Sequence, residues 1–337
     1  MSDPVPLCDV WRGDFLESRH RGHVVIAHVD DGPLATWGDA AAIVLPRSSS
    51  KMLQALPLVE SGAADAAGLT TENLALACAS HTGAAIHTDR VTAWLGALGL
   101  TEADLRCGPQ MPEDPEAHRH CYCGGHAPGQ VHNNCSGKHT GFLTLARHLG
   151  AGPEYIEADH PVQVAVRDAF EDMTGAPSPG WAIDGCSAPN FTTSVAGLAT
   201  AMARLAGARG TGDARDRAGH RLIAAMVAHP DLIAGEGRAC TDLMRAMGGR
   251  AAIKTGAEGV FVAIIPERRI GVALKIADGT TRAAECAIAA ILVAFGVLDP
   301  LHPATRKRLD APILNRRGID AGRITTAPAF AKDLRRL

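Results

Sequence analysis

The chain has six lysines against twenty-seven arginines, and three of the lysines lie in short motifs with serine, threonine or cysteine. These three are Lys51, Lys138 and Lys254. A guanidinium stays charged at any working pH, whereas burial can shift an ammonium towards neutrality, so that the amine accepts a proton. The three motifs are therefore candidate sites for proton transfer and nucleophilic chemistry.

Ser48 and Lys51 form an SxxK motif. When the serine opens a helix, residues three apart share a face, and the lysine amine can lie within hydrogen-bond distance of the hydroxyl. An amine whose pKa is lowered by burial can then take the hydroxyl proton and activate the oxygen as a nucleophile. The same pattern also fits a helix cap followed by an exposed lysine.

A second motif, Lys254-Thr255-Gly256, lies on a predicted strand late in the chain. In serine acyl-transfer enzymes of the penicillin-recognising type, SxxK at a helix start and KTG on a late strand occur together. The third member of that set is a serine from the helical part, for which Ser80 is the candidate. A serine at a helix end can equally be a cap.

Cys135, Lys138 and His139 lie within one helical turn, and Cys186 follows a short apolar run. Two thiolates and a nitrogen donor suit tetrahedral zinc with one open position. Spacing alone favours His139 as the nitrogen donor, because a lysine must lose its proton before it can bind a metal.

A rival metal cluster lies in the most loop-like stretch of the sequence. It consists of His118, His120, Cys121, Cys123 and His126. Its density of ligands is high, but its spacing matches no common zinc module, and a solvated surface loop is the alternative interpretation.

Apolar spacing and turn residues predict the elements that position these motifs. Strands are predicted over Val24–Val29, Leu34–Trp37, Ile43–Leu45, Ala251–Thr255, Val260–Ile265 and Ile270–Ile276. Helices are predicted from Ser49 or Ser50, from Thr70, and over Cys135–Leu149, Val162–Met173, Val195–Ala206, Arg217–Ala228 and Thr280–Leu298. An irregular segment is predicted over Cys107–Val131.

This order of strands, helices, strands and a last helix predicts an α/β (α+β) fold. Both ends of the chain would build one antiparallel sheet, flanked by helices, with a helical insertion in the middle. We expect a single catalytic unit over 1–337. Its sheet-and-helix part would span about 1–60 and 250–337, and its helical part about 61–249.

Composition excludes several classes of protein. Hydrophobic content of 46% and a net charge of -3, with charges mixed along the chain, argue against nucleic-acid binding. The amino terminus has no apolar region long enough for a signal peptide or a membrane span. Nine cysteines, an odd number, favour thiols or metal ligands over a disulfide framework, so the expected compartment is the cytoplasm.

Five segments together resemble the asparaginase II family of rhizobial type, also called class 3 L-asparaginases. They are Arg47-Ser48-Ser49-Ser50-Lys51, Cys78-Ala79-Ser80-His81, His132-Asn133-Asn134-Cys135-Ser136-Gly137-Lys138-His139, Asp184-Gly185-Cys186-Ser187 and Lys254-Thr255-Gly256-Ala257-Glu258-Gly259. The resemblance covers nearly the whole chain. It implies a fold related to serine β-lactamases, a homodimer, and hydrolysis of L-asparagine to L-aspartate and ammonia.

The resemblance also implies two Ser–Lys pairs, Ser48 with Lys51 and Ser80 with Lys254. Ser48 would attack the side-chain amide carbon while Lys51 takes the hydroxyl proton, ammonia would leave, and water would release aspartate from the ester. Ser80 and Lys254 would relay protons or hold the nucleophile. By analogy, the backbone N–H groups of Ser48 and Ala257 would form the oxyanion hole. Which serine forms the ester stays open, and the predicted helix start favours Ser48.

The zinc ligands that the resemblance implies are Cys135, Lys138 and Cys186, in place of the preference for His139 that spacing alone supports. Zinc would position the α-carboxylate or the α-amine of the substrate through its open site. His139 then becomes a candidate either for supporting the metal ligands or for contact with the substrate, and Arg47 is a candidate for contact with the substrate.

Two other kinds of function stay open. A β-lactamase or transpeptidase would use the same Ser–Lys machinery, although the missing export signal weighs against it, and the preference between asparagine and glutamine is also open. A non-catalytic, zinc-dependent amino-acid-binding protein would use the serines as caps. Ammonia release from asparagine and glutamine, compared with turnover of a β-lactam, separates these functions.

Overall fold

The structure, a computed structural model, describes residues 3–337. The strands within these residues are β1 (Val5–Arg12), β2 (Phe15–His28), β3 (Gly32–Trp37), β4 (Ile43–Val44), β5 (Trp181–Ile183), β6 (Pro189–Phe191), β7 (Thr193–Ser194), β8 (Ala252–Thr255), β9 (Val260–Ile265), β10 (Ile270–Ile276), β11 (Ala311–Leu314) and β12 (Asp320–Thr326). The α-helices are α1 (Lys51–Gln54), α2 (Leu56–Glu60), α3 (Ala63–Ala66), α4 (Thr71–Ala77), α5 (Ala85–Ala97), α6 (Pro115–Gly124), α7 (Ser136–His148), α8 (Pro161–Thr174), α9 (Val195–Gly207), α10 (Ala214–Ala228), α11 (Pro230–Ile233), α12 (Ala239–Met247), α13 (Thr281–Ala294), α14 (Pro303–Arg306) and α15 (Pro328–Leu334).

These residues form two compact units. The sheet unit comprises the described residues up to Ser49, together with Thr193–Gly207 and Asp242–Leu337. The helical unit comprises Ser50–Thr192 and Ala208–Thr241. The sheet unit includes α9, a helix that the sequence-based division at about 60 and 250 assigns to the helical part.

The sheet unit contains one large antiparallel sheet. Its strand order is β11-β12-β1-β2-β10-β9-β8, and β3 also pairs with β2. The two ends of the chain meet where β1 lies beside β12, with Cys8 opposite Thr326. The prediction of an antiparallel sheet built from both chain ends and flanked by helices is therefore confirmed.

Helices cover the middle of this sheet. Every residue of β9 is buried, so both faces of that strand are covered, and α9 and α13 are the helices that contact it. Gly271 on β10 allows the closest approach, because a Cβ atom there would collide with the backbone of Ala199 and Ala203 in α9. A side chain other than hydrogen at this position would force the helix and the sheet apart.

In the helical unit, α4 and α7 cross at two glycines. A Cβ atom at Gly137 would collide with the carbonyl oxygen of Leu76, and one at Gly141 would lie 3.6 Å from Ala77. The small residues, four apart on one face of α7, let the two backbones come close. This crossing sets the first turn of α7 beside the end of α4.

The structure corrects two local predictions. The helix expected from Ser49 or Ser50 is a 3-10 helix over Arg47–Ser50 followed by two short α-helices. Ala55 separates α1 from α2, and Pro57 is the second residue of α2. The segment Cys107–Val131 is not irregular throughout, since it contains α6. Asp114 caps α6 by accepting the N–H groups of Glu116 and Ala117.

No helix within residues 3–337 combines the length and the apolar character that a bilayer crossing demands.

Candidate active site

A buried hydrogen bond joins Lys51 to Ser80 in the helical unit. The Lys51 amine lies 2.9 Å from the Ser80 hydroxyl oxygen, and its other hydrogen bonds go to the backbone carbonyls of Ala79 and, at 3.4 Å, Asn134. Lys51 is 1% exposed and Ser80 6% exposed. Two fixed carbonyls thus hold an amine against a serine hydroxyl, which is the arrangement that a lysine base and its serine partner need.

The end of α4 places Ser80 through its backbone. The Ser80 N–H donates to the carbonyl of Ile233 at 2.8 Å, and the next N–H, from His81, donates to the carbonyl of Asn134 at 3.2 Å. The Asn134 carbonyl therefore accepts from both the Lys51 amine and the His81 backbone. These bonds fix the backbone that carries Ser80, so the packing of the helical unit determines where the Ser80 hydroxyl lies.

The His81 ring supports the same loop in its neutral form. Its Nδ1 accepts the Gly83 N–H at 3.2 Å, so the ring proton is on Nε2, which donates to the Ser136 hydroxyl at 2.9 Å. His87 stacks on this ring with centroids 4.7 Å apart. Burial, and next to it the neighbouring His87, lower the pKa of His81 well below its ordinary value.

In the sheet unit, the segment that contains Ser48 lies against the KTG strand. A Cβ atom at Gly256 would lie 2.5 Å from the carbonyl oxygen of Pro46 and 3.3 Å from the Ser49 Cβ. Only glycine leaves room for this contact. Ser48 itself is half-buried, while Lys254 is fully buried and its amine donates to the Thr255 carbonyl at 3.0 Å.

Backbone strain occurs at three of the predicted motifs. Arg47, directly before Ser48, has φ of 53°, Ser187, directly after Cys186, has φ of 71°, and Glu258, directly after Ala257, has φ of 58°. Residues other than glycine rarely adopt this left-handed backbone conformation. Such strain is concentrated at functional sites.

The predicted pairs Ser48 with Lys51 and Ser80 with Lys254 each combine a residue of one unit with a residue of the other, and they stay predictions. Ala257 is exposed, in the turn between β8 and β9. Its role in an oxyanion hole also stays a prediction.

Cys135, Lys138 and Cys186 come together in the helical unit. The Lys138 amine lies 3.0 Å from the Cys186 sulfur, and the Cys135 sulfur lies 2.9 Å from the Asn134 side-chain oxygen. The two cysteines and the lysine are each 3% exposed. Cys186 is placed by the turn between β5 and β6, in which the Asp184 N–H donates to the Ala188 carbonyl.

Charge and hydrogen bonding shift the pKa values of Cys186 and Lys138 in opposite directions. A hydrogen bond from Cys135 and then, against the effect of burial, the charge of Lys138 hold the pKa of Cys186 well below its usual range. Burial alone would lower the pKa of Lys138, but the neighbouring Cys186 and Cys135 raise it. Both shifts favour the charged forms, a thiolate on Cys186 and an ammonium on Lys138.

This donor set fits zinc if Lys138 gives up its proton. Two buried sulfurs and one amine converge, and sulfur and nitrogen donors are those that zinc prefers. Within residues 3–337, no three or more side chains of His, Cys, Asp or Glu are placed together to hold a metal ion. A zinc site in this part of the chain thus depends on the lysine as its third donor.

The rival cluster, which lies on α6 and just after it, does not assemble into a site of three donors in the described residues. The rings of His120 and His126 stack at 5.3 Å, but Cys121 is buried and Cys123 is exposed on the helix.

His139 lies beside the sulfur cluster, with its side chain hydrogen-bonded to Cys186. Its Nδ1 lies 2.9 Å from the hydroxyl oxygen of Tyr155, which also accepts the Arg106 N–H at 2.7 Å. Burial lowers the pKa of His139, so that the ring is neutral near pH 7. The structure does not test its predicted contact with substrate, nor that of Arg47.

Two residues of this region have no role in the sequence analysis. The Asn134 carbonyl, which accepts from the Lys51 amine, lies in the motif around Cys135 and could have been found there. Tyr155 is one of only two tyrosines in the chain and belongs to no motif, so only the folded structure identifies it.

The chain is similar to several known proteins. A family model described as L-asparaginase II matches residues 8–326. A comparison with curated proteins gives no match. Among solved structures, a β-lactamase from Mycobacterium bovis is 16% identical, with a TM-score of 0.47, over 81% of this chain and 94% of its own. Mglu, in its Tris and glutamate form, is 14% identical, with a TM-score of 0.48, over 88% of this chain and 63% of its own.

Proposed function

Since the chain belongs to the L-asparaginase II family, we propose that it hydrolyses the side-chain amide of L-asparagine to L-aspartate and ammonia. The family makes it an amidohydrolase with a small-molecule substrate. The buried hydrogen bond between Lys51 and Ser80 is the observation that supports Ser–Lys chemistry most directly.

In the proposed reaction, Ser48 is the nucleophile and Lys51 the base. The Ser48 oxygen forms a bond to the amide carbon while its proton passes to the Lys51 amine. As the carbon–nitrogen bond breaks, the proton reaches the leaving ammonia through Ser80, whose hydroxyl lies 2.9 Å from Lys51. Water then adds to the ester, aspartate leaves, and the Ser48 hydroxyl is restored. Lys254 completes the second proposed Ser–Lys pair, with Ser80.

We also propose that Cys135, Lys138 and Cys186 hold a zinc ion. When bound, zinc would supply a Lewis-acidic open position for one end of the substrate. The chain's own contribution is to keep these donors buried and close together, with the Cys186 sulfur 3.0 Å from the Lys138 amine. His139 and Arg47 are proposed to contact the substrate.

A homodimer in the cytoplasm completes the proposal. Light scattering on the purified protein measures the oligomeric state, and fractionation of the native cells measures the location.

The test combines turnover with a chemical trap. Ammonia release is measured with asparagine and with glutamine, and nitrocefin tests for β-lactam turnover. Rapid acid quenching followed by peptide mass spectrometry locates the ester, which we expect on the peptide that contains Ser48. An ester on Ser80 would exchange the roles of the two serines, and binding of asparagine with no ammonia release would refute the hydrolase.

A further inference from the structure

A cavity of about 650 Å³ lies in the helical unit and is lined by residues of α3, α4, α5 and α7 and of the turn between α3 and α4. Its volume is within the range of small-molecule sites in proteins. Of the residues in the described chain that line it, none belongs to the proposed reaction or to the proposed zinc site. The cavity therefore needs an explanation of its own.

Alanines leave this space open. The lining includes Ala63, Ala66 and Ala67 at α3, and Ala93 and Ala97 on α5. Residues four apart lie on one face of a helix, so α5 presents two methyl groups to the cavity where most side chains are longer. A larger residue at either position of α5 would occupy the space.

An apolar part of the cavity wall contains a donor without a partner. Trp94 and Leu98, which are 3% and 8% exposed, form this part of the wall. Within residues 3–337, the indole N–H of Trp94 has no hydrogen-bond partner, whereas those of Trp11 and Trp37 donate to side-chain oxygens. Buried donors are usually paired. The wall thus combines an aromatic surface with a donor that the protein itself leaves unsatisfied.

The charged groups of the lining leave one positive charge without a counter-ion. Arg90 pairs with Glu72 through N–O distances of 3.1 and 3.0 Å. Arg147, on the last turn of α7, donates to the carbonyl of Leu98, and no carboxylate of the described residues forms an ion pair with it. His148, the other titratable group of the lining, bonds to a backbone carbonyl. A guanidinium has five N–H groups in a fork that fits a carboxylate, so the cavity favours an anionic ligand.

We propose that this cavity is a second binding site, which takes a small monocarboxylate with an apolar body. The apolar body lies against Trp94 and the alanines, and the carboxylate pairs with Arg147. One unpaired arginine matches one negative charge, so the site favours a carboxylate over a doubly charged phosphate. Asparagine and aspartate fit poorly, because they bring an ammonium next to a guanidinium or an apolar wall.

The first test follows the binding of 3-phenylpropionate, which combines a carboxylate with an apolar ring. In protein labelled with 15N at tryptophan, the 1H–15N spectrum contains four indole signals, and Trp94→Phe assigns the one of interest. We expect the Trp94 signal to shift saturably, with a Kd below about 1 mM. The signals of Trp11, Trp37 and Trp181 should stay in place.

The second test varies the ligand and the cavity. We expect 3-phenylpropan-1-ol to bind about tenfold more weakly than the acid, the effect of one hydrogen bond to a charged group, and 3-phenylpropylammonium to bind more weakly still. Arg147→Met should remove most of the difference between the acid and the alcohol. Ala97→Phe, which occupies the space, should abolish the saturable shift. Thr92→Phe, at an exposed position of α5 outside the cavity lining, is its control. Circular dichroism shows whether each variant is folded.

The absence of a saturable shift at Trp94 overturns the inference, and so does equal binding of the acid, the alcohol and the ammonium compound. A Trp94 shift that persists in a folded Ala97→Phe protein, or an affinity for the acid that is unchanged in Arg147→Met, places the ligand elsewhere and also overturns it. None of these measurements needs turnover. They therefore decide the inference whether or not the protein hydrolyses asparagine.

Discussion

At the scale of single residues, three polar groups surround the buried Lys51 amine. They are two backbone carbonyls and the Ser80 hydroxyl, and the planar, forked donors of a guanidinium do not reproduce the geometry of a single amine. A guanidinium also stays protonated, so it could not accept the serine proton.

Lys51→Arg should therefore lower kcat/KM for asparagine by at least about 100-fold, in the range of a lost general base. Lys307→Arg is the control, because the Lys307 side chain is 66% exposed and should tolerate the change. Steady-state ammonia release measures both. An active Lys51→Arg enzyme would show that lysine is not the base.

The sequence identifies the residues that could do chemistry in this region, but it does not identify the residues that support them. Lys51, Ser80 and Cys135 could be identified because they lie in recognisable motifs. Tyr155 could not, because its contact with His139 depends on how α7 packs beside the loop before α8. Spacing alone favours His139 over Lys138 as the nitrogen donor, whereas in the structure the Lys138 amine lies 3.0 Å from the Cys186 sulfur.

At the scale of elements, a helix packs closely on the sheet at Gly271. Gly271→Ala should reduce the free energy of unfolding by at least about 2 kcal/mol, since the added methyl group meets the backbone of α9 and not a flexible side chain. Gly96→Ala is the matched control. No atom lies within 4 Å of a Cβ there, and α5 should gain up to about 1 kcal/mol from the better helix former. Urea titration measures both, and equal effects would contradict the described packing.

Asp278, just before α13, makes a pH-dependent contribution to the stability of the fold. Partial burial alone raises the pKa of Asp278, but hydrogen bonds from His20 and from the Thr280 N–H lower it to about 2. The His20 ring is in turn held by the Arg282 side chain, which donates to its Nε2 at 3.1 Å. A lowered folded-state pKa stabilises the protein above the ordinary value, and this contribution is lost as the pH falls towards 2.

Asp278→Asn should accordingly cost about 0.5–1 kcal/mol at pH 7, a modest value because the carboxylate is 47% exposed. The difference from the wild type should disappear between about pH 4 and pH 2. Denaturant titrations at several pH values measure it, with Asp14→Asn on an exposed turn as the control. A difference that stays constant down to pH 2 would exclude the charge as its source.

The elements that the sequence predicts correctly are those with strong apolar patterns. β9 and β10 are nearly continuous apolar runs, and the predicted bounds of both strands are the observed ones. By contrast β12 is largely half-exposed, with Arg323 and two threonines, so no alternation distinguishes it from a loop. Its strand structure comes from pairing with β1, which is a long-range contact.

At the scale of the whole molecule, the proposed metal site predicts the zinc content of the purified protein. Purified protein should carry about one zinc per chain, and Cys135→Ala or Cys186→Ala should lose it, because too few donors remain. Cys121→Ala and Cys123→Ala should keep it. Elemental analysis together with circular dichroism distinguishes loss of metal from loss of fold. Zinc retained in the Cys135 variant and lost in the Cys121 variant would move the site to α6.

The pairing of β1 with β12 has a consequence during synthesis on the ribosome. Strands β1 to β3 emerge first, but β10, β9 and β12 emerge only after the entire helical unit. The helical unit can fold as soon as Thr241 has left the exit tunnel, while the early hairpin waits with an unpaired edge on β2. Exposed strand edges are templates for aggregation, and long-range pairing is slow. A nascent chain of this protein should therefore be a substrate for chaperones until its last strands are translated.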